Sequence, residues 1–256
     1  MAGENRSQDM GSILSDMSTS LMKKRIREQI WGYLEDHDIA RFPRPVYNRI
    51  PNFAGAEEAA SRVRKLAEFS EAEVVKVNPD SPQMHIRRIV LEDGKTFLMP
   101  TPRLREGVLR LESNRTKGRT RKAFSISSAF KFGQKIALSG IPNVDLIVAG
   151  SVAVSLKGGR IGKGEGYSEM EYGILRERNL IDDDVKVVTT VHDSQVVGSF
   201  PLEKHDIPVD YVLTPTRSHE THTVIPKPKR IYWEVVTEET LHKMPILAEL
   251  RKSQLK

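Results

Sequence analysis

The sequence predicts an α/β fold, a three-layer sandwich with a mainly parallel central sheet and helices on both faces. Residues 144–155 (VDLIVAGSVAVS) form an almost uninterrupted apolar run, which is typical of a strand buried on both faces of a covered parallel sheet. Shorter apolar runs alternate along the chain with segments of helical spacing, as they do in three-layer α/β domains. The chain has 256 residues, of which 38% are hydrophobic, so it can bury a sizeable core.

The start of the chain divides into two parts. Residues 1–19 are small and polar and lack a sustained period, so we expect a disordered leader there. Ser20 is a residue type suited to cap a helix, and the first helical pattern follows it directly. We therefore expect residues 20–256 to form a single α/β domain.

The first predicted element after the leader is an amphipathic helix. Ile26, Ile30 and Leu34 recur at i, i+4 and i+8, which places them on one helical face. Lys23 and Arg27 also lie four residues apart, but on another face. The helix is therefore expected to bury an apolar stripe and to present two cations beside it.

The elements after this helix are read from helical spacing, apolar runs and breakers. Three prolines in residues 43–51 exclude a regular helix there. Residues 93–94 (Asp-Gly) could close a hairpin, but the apolar spacing of residues 86–90 favours a short helix followed by a strand. In chain order, the predicted elements are a helix over 56–69, a strand over 73–77, a short helix around 86–90, a strand over 96–99, a mobile loop over 110–122, a helix over 127–138, the apolar strand over 144–155, a helix over 169–178, strands over 185–192, 209–214 and 230–236, and a helix over 238–251.

A glycine-rich segment, GGRIGKGEGYSEMEY at residues 158–172, follows the apolar strand. Its glycines allow positive φ and close backbone approach, so successive N–H groups can face an anion, and Arg160 and Lys163 add full charges. Ligands of open α/β sheets bind where such strands end. The spacing matches neither the Walker loop nor the Rossmann fingerprint, because Lys163 is followed by Gly164. The segment predicts a phosphate-binding loop, with a purely structural turn as the alternative.

The charge of the chain favours polyanionic partners without choosing among them. The net charge of +6 suits nucleic acid, nucleotide phosphates and polyglutamylated small molecules alike. The densest basic run, RTKGRTRK at residues 115–122, contains no aromatic residue, so a stacking platform for single-stranded nucleic acid is not evident. RNA is therefore an alternative partner that the sequence does not favour.

Composition also excludes several kinds of site. The chain has no cysteine, which rules out disulfides and thiolate metal ligands and favours a cytoplasmic location. No apolar run approaches the roughly 20 residues that a membrane span needs. The histidines in predicted loops lack the spacing of a zinc site, so zinc is not expected. The sequence predicts no oligomeric state.

Several motifs occur along the chain in an order that resembles the pattern of a known enzyme family. The apolar strand is followed by RIGKGEGY, then by QVV, and then by HDIPVDYVLT. This order resembles the 5-formyltetrahydrofolate cyclo-ligase family, also called methenyltetrahydrofolate synthetases, over about residues 21–216. FPRPV, GSVAVS and GRIGKGEGY are similar to the branch of methenyltetrahydrofolate synthase domain-containing proteins. Some animal members of that branch carry a carboxy-terminal RNA-recognition domain, which we do not expect in this chain.

The resemblance implies an ATP- and Mg²⁺-dependent reaction on a reduced folate. The formyl oxygen of 5-formyltetrahydrofolate would attack the γ-phosphate, N10 would close the ring, and phosphate would leave to give 5,10-methenyltetrahydrofolate. Such chemistry depends on charge neutralisation and alignment more than on a covalent nucleophile. The implied nucleotide-binding residues are Lys23, Arg27, Arg160, Gly162, Lys163, Gly164, Glu165, Gly166 and Tyr167.

The same resemblance implies catalytic and metal-binding roles. Arg160, Lys163 and Tyr167 would act in catalysis, and Glu169 and Asp206 would be the oxygen ligands of Mg²⁺. Each role has a structural alternative. Glu169 could be a first-turn acid favoured by the helix dipole, Asp206 a turn residue, and Tyr167 a packing residue.

The sequence departs from the family pattern inside the site. The usual Tyr-Tyr-Asp-Arg is here Tyr167-Ser168-Glu169-Met170, and the glutamate that contacts folate near Pro51 is missing. Three hypotheses follow: an active cyclo-ligase, a related ATP-dependent enzyme acting on another pterin or heterocycle, and a non-catalytic protein that binds nucleotide or RNA. The metal carboxylates and the folate side of the pocket distinguish among them.

Overall fold

The computed structural model describes residues 4–113 and 125–254, so the basic run at 115–122 lies outside the described residues. Within the described ranges, the α-helices are α1 (Glu4–Asp36), α2 (Ala56–Ser61), α3 (Ala67–Glu71), α4 (Met84–Glu92), α5 (Ile126–Phe132), α6 (Tyr167–Glu177), α7 (Glu238–Lys243) and α8 (Pro245–Gln254). The strands are β1 (Ala40–Arg41), β2 (Asn52–Phe53), β3 (Val74–Val77), β4 (Thr96–Pro100), β5 (Val108–Glu112), β6 (Gln134–Ile136), β7 (Leu146–Val148), β8 (Ala153–Ser155), β9 (Arg160–Ile161), β10 (Lys186–Thr190), β11 (Val196–Val197), β12 (Tyr211–Leu213) and β13 (Ser218–Glu220).

An eight-stranded sheet with the order β13-β12-β10-β7-β3-β4-β5-β6 forms the centre of the fold. The pairs from β12 to β4 are parallel, whereas β13, β5 and β6 add antiparallel edges. Parallel neighbours need crossover connections, and the helices between them supply these. The α/β fold class and the mainly parallel sheet are confirmed.

The two faces of the sheet bury different helices. Ile147 packs in a core that includes Met170 and Tyr172 of α6, while its neighbours Leu146 and Val148 pack on the opposite face with α4. Successive side chains of a strand point to opposite faces, so a strand covered on both sides is apolar at every position. The continuous apolar run at residues 144–155 has this origin.

That run is nevertheless two strands. β7 belongs to the central sheet, whereas β8 belongs to a three-stranded sheet with the order β11-β8-β9. Gly150 lies between the two strands, where an added Cβ would be 2.8 Å from Asp80 Oδ2 and 3.0 Å from Ile50. Only glycine allows the backbone to pass this close to the two side chains.

Helix α1 packs on the small sheet and carries two cations to its rim. Ile30 and Leu34 share a core with Val152 and Ile161. The helix begins at Glu4, whereas the sequence predicted a disordered leader and a start at Ser20. No proline interrupts the segment, and extending an existing helix adds one hydrogen bond for each residue fixed.

Several predicted elements are wrong in part. The first residues of the predicted loop over 110–122 belong to β5, and a 3₁₀ turn at Arg62–Lys65 interrupts the predicted helix over 56–69. The predicted helix over 127–138 ends at Phe132, because Gly133 is extended and β6 follows it. The predicted strand over 230–236 contains a short 3₁₀ turn instead. β13 already occupies the sheet edge beside β12, and the Ile231 N–H donates to Glu177 at 3.0 Å, which directs this segment onto α6.

The longest helix is strongly charged. α1 spans 33 residues, and lysine, arginine, aspartate and glutamate recur along it. No helix in the described part of the chain combines the length and the apolar character that a membrane span requires.

Candidate functional site

A cleft of about 270 Å³ lies between α1, the loop before α6, and the segment before β12. Every residue that the sequence assigned to nucleotide, catalysis or metal lines it, from Lys23 and Arg27 on α1 to Glu169 on α6 and Asp206. These residues are far apart in the sequence. The fold therefore brings the predicted site residues together in one concave surface, while their individual roles stay predictions.

The first two glycines of the segment form a turn. Gly158 has a φ of 93°, and its N–H donates to the Ser155 carbonyl at 3.0 Å. The Gly159 N–H donates to Ser155 Oγ, also at 3.0 Å. A Cβ on Gly158 would lie 2.4 Å from Thr223 Oγ1. These glycines therefore close the β8–β9 hairpin and do not serve as anion ligands.

Gly158→Ala is expected to destabilise the fold by about 1–3 kcal/mol, because the added methyl group overlaps Thr223 and the positive φ disfavours alanine. Chemical denaturation would measure the loss. Gly198→Ala is the matched control, since an added Cβ there meets nothing within 4 Å. Equal stability of the two variants would contradict the assignment of Gly158 to the turn.

The rest of the glycine segment is a run of free amides. Among the described residues, the N–H groups from Gly162 to Glu169 have no hydrogen-bond acceptor. Gly164 and Gly166 have φ values of 102° and 72°, and Gly166 caps the amino terminus of α6. Free amides beside a helix amino terminus attract anions, because the helix dipole adds to their partial charges. This segment is the strongest anion-binding feature of the cleft.

Arg27 lies over that loop. Its Nε donates to the Gly162 carbonyl at 2.9 Å, while its two Nη nitrogens have no acceptor among the described residues. Burial lowers the pKa of Arg27, against the opposing effect of Asp206 and Glu169. A guanidinium remains protonated under such shifts. Arg27 can therefore fix the loop with one nitrogen and bind an anion with the others.

Arg160 lines the cleft, and its guanidinium contacts other residues of the protein. It is 2% exposed, and its Nη1 donates to the Gly150 carbonyl at 2.7 Å. Its Nη2 donates to Glu169 Oε1. Both terminal nitrogens thus contact the protein, so the geometry suits Arg160 to orienting Glu169 more than to contacting phosphate directly.

Lys23 lies between two carboxylates at the other side of the cleft. Its Nζ contacts Asp206 and lies 2.5 Å from Glu203 Oε2. The Glu203 N–H donates to Asp206 Oδ2 at 2.6 Å, and His205 Nε2 lies 3.6 Å from Glu203 Oε2. One ligand atom each from Glu203, His205 and Asp206 falls within 4.8 Å of the others, a spacing that could hold a metal ion.

The donor set fits the Mg²⁺ that the family implies. Glu169 Oε2 and Asp206 Oδ1 have no hydrogen-bond partner within the described ranges, so each carboxylate keeps one oxygen available. Mg²⁺ prefers carboxylate oxygens together with water and phosphate oxygens. The cleft also fits a nucleoside triphosphate bound with its metal. The free amides and the two cations suit the phosphates, and the carboxylates suit the metal ion.

Lys163 and Tyr167 lie next to each other on the exposed side of the loop. Lys163 Nζ is 2.5 Å from Glu165 Oε2 and 5.9 Å from the centre of the Tyr167 ring. Tyr167 also packs against the core beneath α6. The two residues therefore form a rim over which a flat ligand can lie.

Sequence reasoning missed Asp80 and Glu203. The half-buried carboxylate of Asp80 lines the cleft, and among the described residues it has no hydrogen-bond partner. Burial raises the pKa of Asp80 although Lys163 and Arg87 oppose the shift. The signal for Asp80 was a polar NPDSP segment directly after the EVVKV strand. Glu203 gave no signal beyond its closeness to the HDIP motif.

Curated proteins with similar sequences cover most of this chain. The chain is 48% identical over 237 residues to the methenyltetrahydrofolate synthase domain-containing protein of Mus musculus, which covers 91% of this chain and 64% of the mouse protein. It is 45% identical over 240 residues to the Homo sapiens protein of the same name, with coverage of 91% and 62%. The chain thus spans less than two-thirds of the length of these curated relatives.

A solved structure and a family model complete the comparison. The NMR structure of the Aquifex aeolicus 5,10-methenyltetrahydrofolate synthetase has a TM-score of 0.49 and 19% sequence identity, and the match covers 78% of this chain and 93% of that one. The model of the 5-formyltetrahydrofolate cyclo-ligase family matches residues 20–215, which include every cleft residue discussed above. The chain belongs to the 5-formyltetrahydrofolate cyclo-ligase family.

Proposed function

We propose that this protein is a ligase that converts 5-formyltetrahydrofolate to 5,10-methenyltetrahydrofolate with ATP and Mg²⁺. The observation that carries the proposal is the run of free amides from Gly162 to Glu169, which faces a cleft lined by Lys23 and Arg27 and by the carboxylates of Glu169 and Asp206. Membership of the cyclo-ligase family supports the same reaction. The cleft therefore offers groups that can bind a nucleoside triphosphate, a metal ion and a small flat substrate.

Some residues of the cleft neutralise the charge of the phosphates, and others position the metal ligands. When bound, ATP with Mg²⁺ supplies the phosphoryl group that activates the formyl oxygen for ring closure. The amides after Gly162 and the free nitrogens of Arg27 hold phosphate oxygens and neutralise their charge. Glu169, held by Arg160, and Asp206, held by Lys23, present metal ligands at fixed positions.

Asp80 supports a pterin as the flat substrate. The family glutamate near Pro51 is missing, but Asp80 Oδ2 and Ile50 converge on the same position beside Gly150. A carboxylate accepts two parallel hydrogen bonds from a ring N–H and an adjacent amino group, which a pterin offers on one edge. We infer that Asp80 binds this edge and supplies the carboxylate that the sequence pattern lacked.

Asp80→Asn is expected to raise the KM for 5-formyltetrahydrofolate by roughly 10–100-fold, because hydrogen bonds to a charged group are lost. The KM for ATP should be unchanged, since Asp80 is proposed to contact only the other substrate. Steady-state kinetics with each substrate varied in turn would separate the two effects. Asp184→Asn, at an exposed aspartate outside the cleft, is the control. An equal rise in both KM values would contradict the role of Asp80.

The test of the function is ATP-dependent formation of methenyltetrahydrofolate, followed by its absorbance. Wild-type protein should produce it with ATP and Mg²⁺ and should stop when either is withheld. Binding of ATP without this product would favour another pterin or heterocycle as substrate. Absence of ATP binding would favour a non-catalytic role.

A further inference from the structure

A charged side chain lies buried in the middle of the central sheet. Lys76 of β3 is 5% exposed, and its neighbours Val75 and Val77 are fully buried. Its Nζ lies 2.6 Å from Glu171 Oε2 and 2.7 Å from Asn78 Oδ1. Burying an ammonium group is unfavourable, and replacement of such a pair by apolar side chains is often neutral for stability. Stability alone therefore does not account for this pair.

The contacts of Lys76 continue to the cleft. Asn78 Nδ2 donates to Ser168 Oγ at 3.0 Å, and Ser168 lines the cleft next to Glu169. Asn78 directly follows β3 and lies two residues after Lys76, so both side chains reach the same side of the sheet. Ser168 and Glu171 are three residues apart and lie on one face of α6. We call these four residues the α6 network. It joins one face of a central strand to one face of the helix at two points.

We propose that Lys76, Asn78 and Glu171 are positioning residues that fix the rotation of α6 about its axis, and through it the direction of Glu169 and of the free amides before it. The proposal rests on the function proposed above. Apolar contacts along α6 tolerate small rotations, whereas directed polar contacts at two points specify one orientation. Glu169 lies between Ser168 and Glu171 in the sequence, so a rotation of the first turn would move its carboxylate directly.

Within the α6 network, Ser168 accepts a hydrogen bond from Asn78. The serine hydroxyl accepts the amide hydrogen that would otherwise be buried without a partner. Ser168 therefore connects the buried pair to the first turn of α6.

The principal test is the double variant K76M/E171L, which replaces the buried pair by apolar side chains. Hydrogen exchange of a peptide covering residues 167–177, whose amides from Met170 onward are hydrogen-bonded, should be roughly fivefold faster or more. The KM for ATP should rise about as much, while thermal stability changes little. The double variant K227M/D210N is the matched control, because it removes both charges of a second pair and keeps an acceptor for the Val187 N–H. Lys227 forms a similarly buried pair with Asp210 at 3.1 Å but does not line the cleft, so exchange in that peptide should not change.

The exchange measurement does not depend on turnover, so it separates this proposal from the proposed function. Wild-type exchange and wild-type KM in a folded K76M/E171L protein would overturn the positioning role. If the wild type bound ATP but made no methenyltetrahydrofolate, the reaction would be wrong, and the exchange result would still decide the role of the α6 network. If the double variant does not fold, Ser168→Ala decides by the same measurement, since it removes only the last contact: faster exchange supports the proposal and unchanged exchange overturns it.

Discussion

Glu169→Gln is expected to lower kcat/KM by roughly 10²–10³-fold while the protein folds as the wild type does. The substitution keeps the shape of the side chain and a hydrogen bond from Arg160, but it removes the negative charge that a metal ion needs. The free Oε2 would become part of a neutral amide. A higher Mg²⁺ concentration should restore little of the activity, because the ligand itself is lost.

Glu169→Asp is the matched control for this prediction. It keeps the negative charge on a side chain one methylene shorter and should keep kcat/KM within about tenfold of the wild type. Thermal unfolding of both variants would show that the fold is intact. If Glu169→Gln turned over as fast as Glu169→Asp, Glu169 would be a first-turn acid of α6 and not a metal ligand.

Lys23→Met is expected to have the second largest effect, lowering the affinity for ATP by roughly 10–100-fold. Lys23 is 5% exposed and lies between Glu203 and Asp206. Without its charge the two carboxylates face each other unpaired, which should destabilise the metal-free protein by about 3–5 kcal/mol. Added Mg²⁺ should recover part of that stability, because a cation again separates the carboxylates.

Lys24→Met is the control, since Lys24 is the exposed neighbour on the same helix and lies 4.0 Å from Glu28. Exposed pairs of this kind contribute little, so ATP affinity and unfolding should both match the wild type. Calorimetric titration with ATP and chemical denaturation with and without Mg²⁺ would measure these effects. An equal response of the two lysine variants would show that Lys23 is part of a solvated helix face.

Much of the fold follows from local patterns in the sequence. The apolar run at residues 144–155 predicts a doubly covered strand because every position of such a strand is buried, and β7 has this environment. The split into β7 and β8 could not be predicted, since it depends on the approach of Asp80 and Ile50 to Gly150. The strand predicted over residues 230–236 failed for a similar reason, because β13 already occupies the edge that it would need.

The part of the candidate site that lies in one continuous segment could be predicted from the sequence. The glycine loop combines backbone freedom, cations and a following helix within a few residues, and the structure shows a run of free amides there. Asp80 and Glu203 reach the cleft only through folding, because the other cleft residues are distant in the sequence, as the contact between Lys23 and Glu203 illustrates. The sequence could not show how the Arg160 side chain is held, because its contacts with Gly150 and Glu169 join residues of separate segments.

The most direct test of the proposed reaction is the ratio of ADP to methenyltetrahydrofolate that the wild-type protein forms. Purified protein is mixed with 5-formyltetrahydrofolate, ATP and Mg²⁺, and methenyltetrahydrofolate absorbance and ADP are followed together. The predicted result is one ADP formed with each methenyltetrahydrofolate, and neither product when Mg²⁺ is chelated. A folded protein that binds ATP but forms no methenyltetrahydrofolate, or forms it without consuming ATP, would contradict the claim.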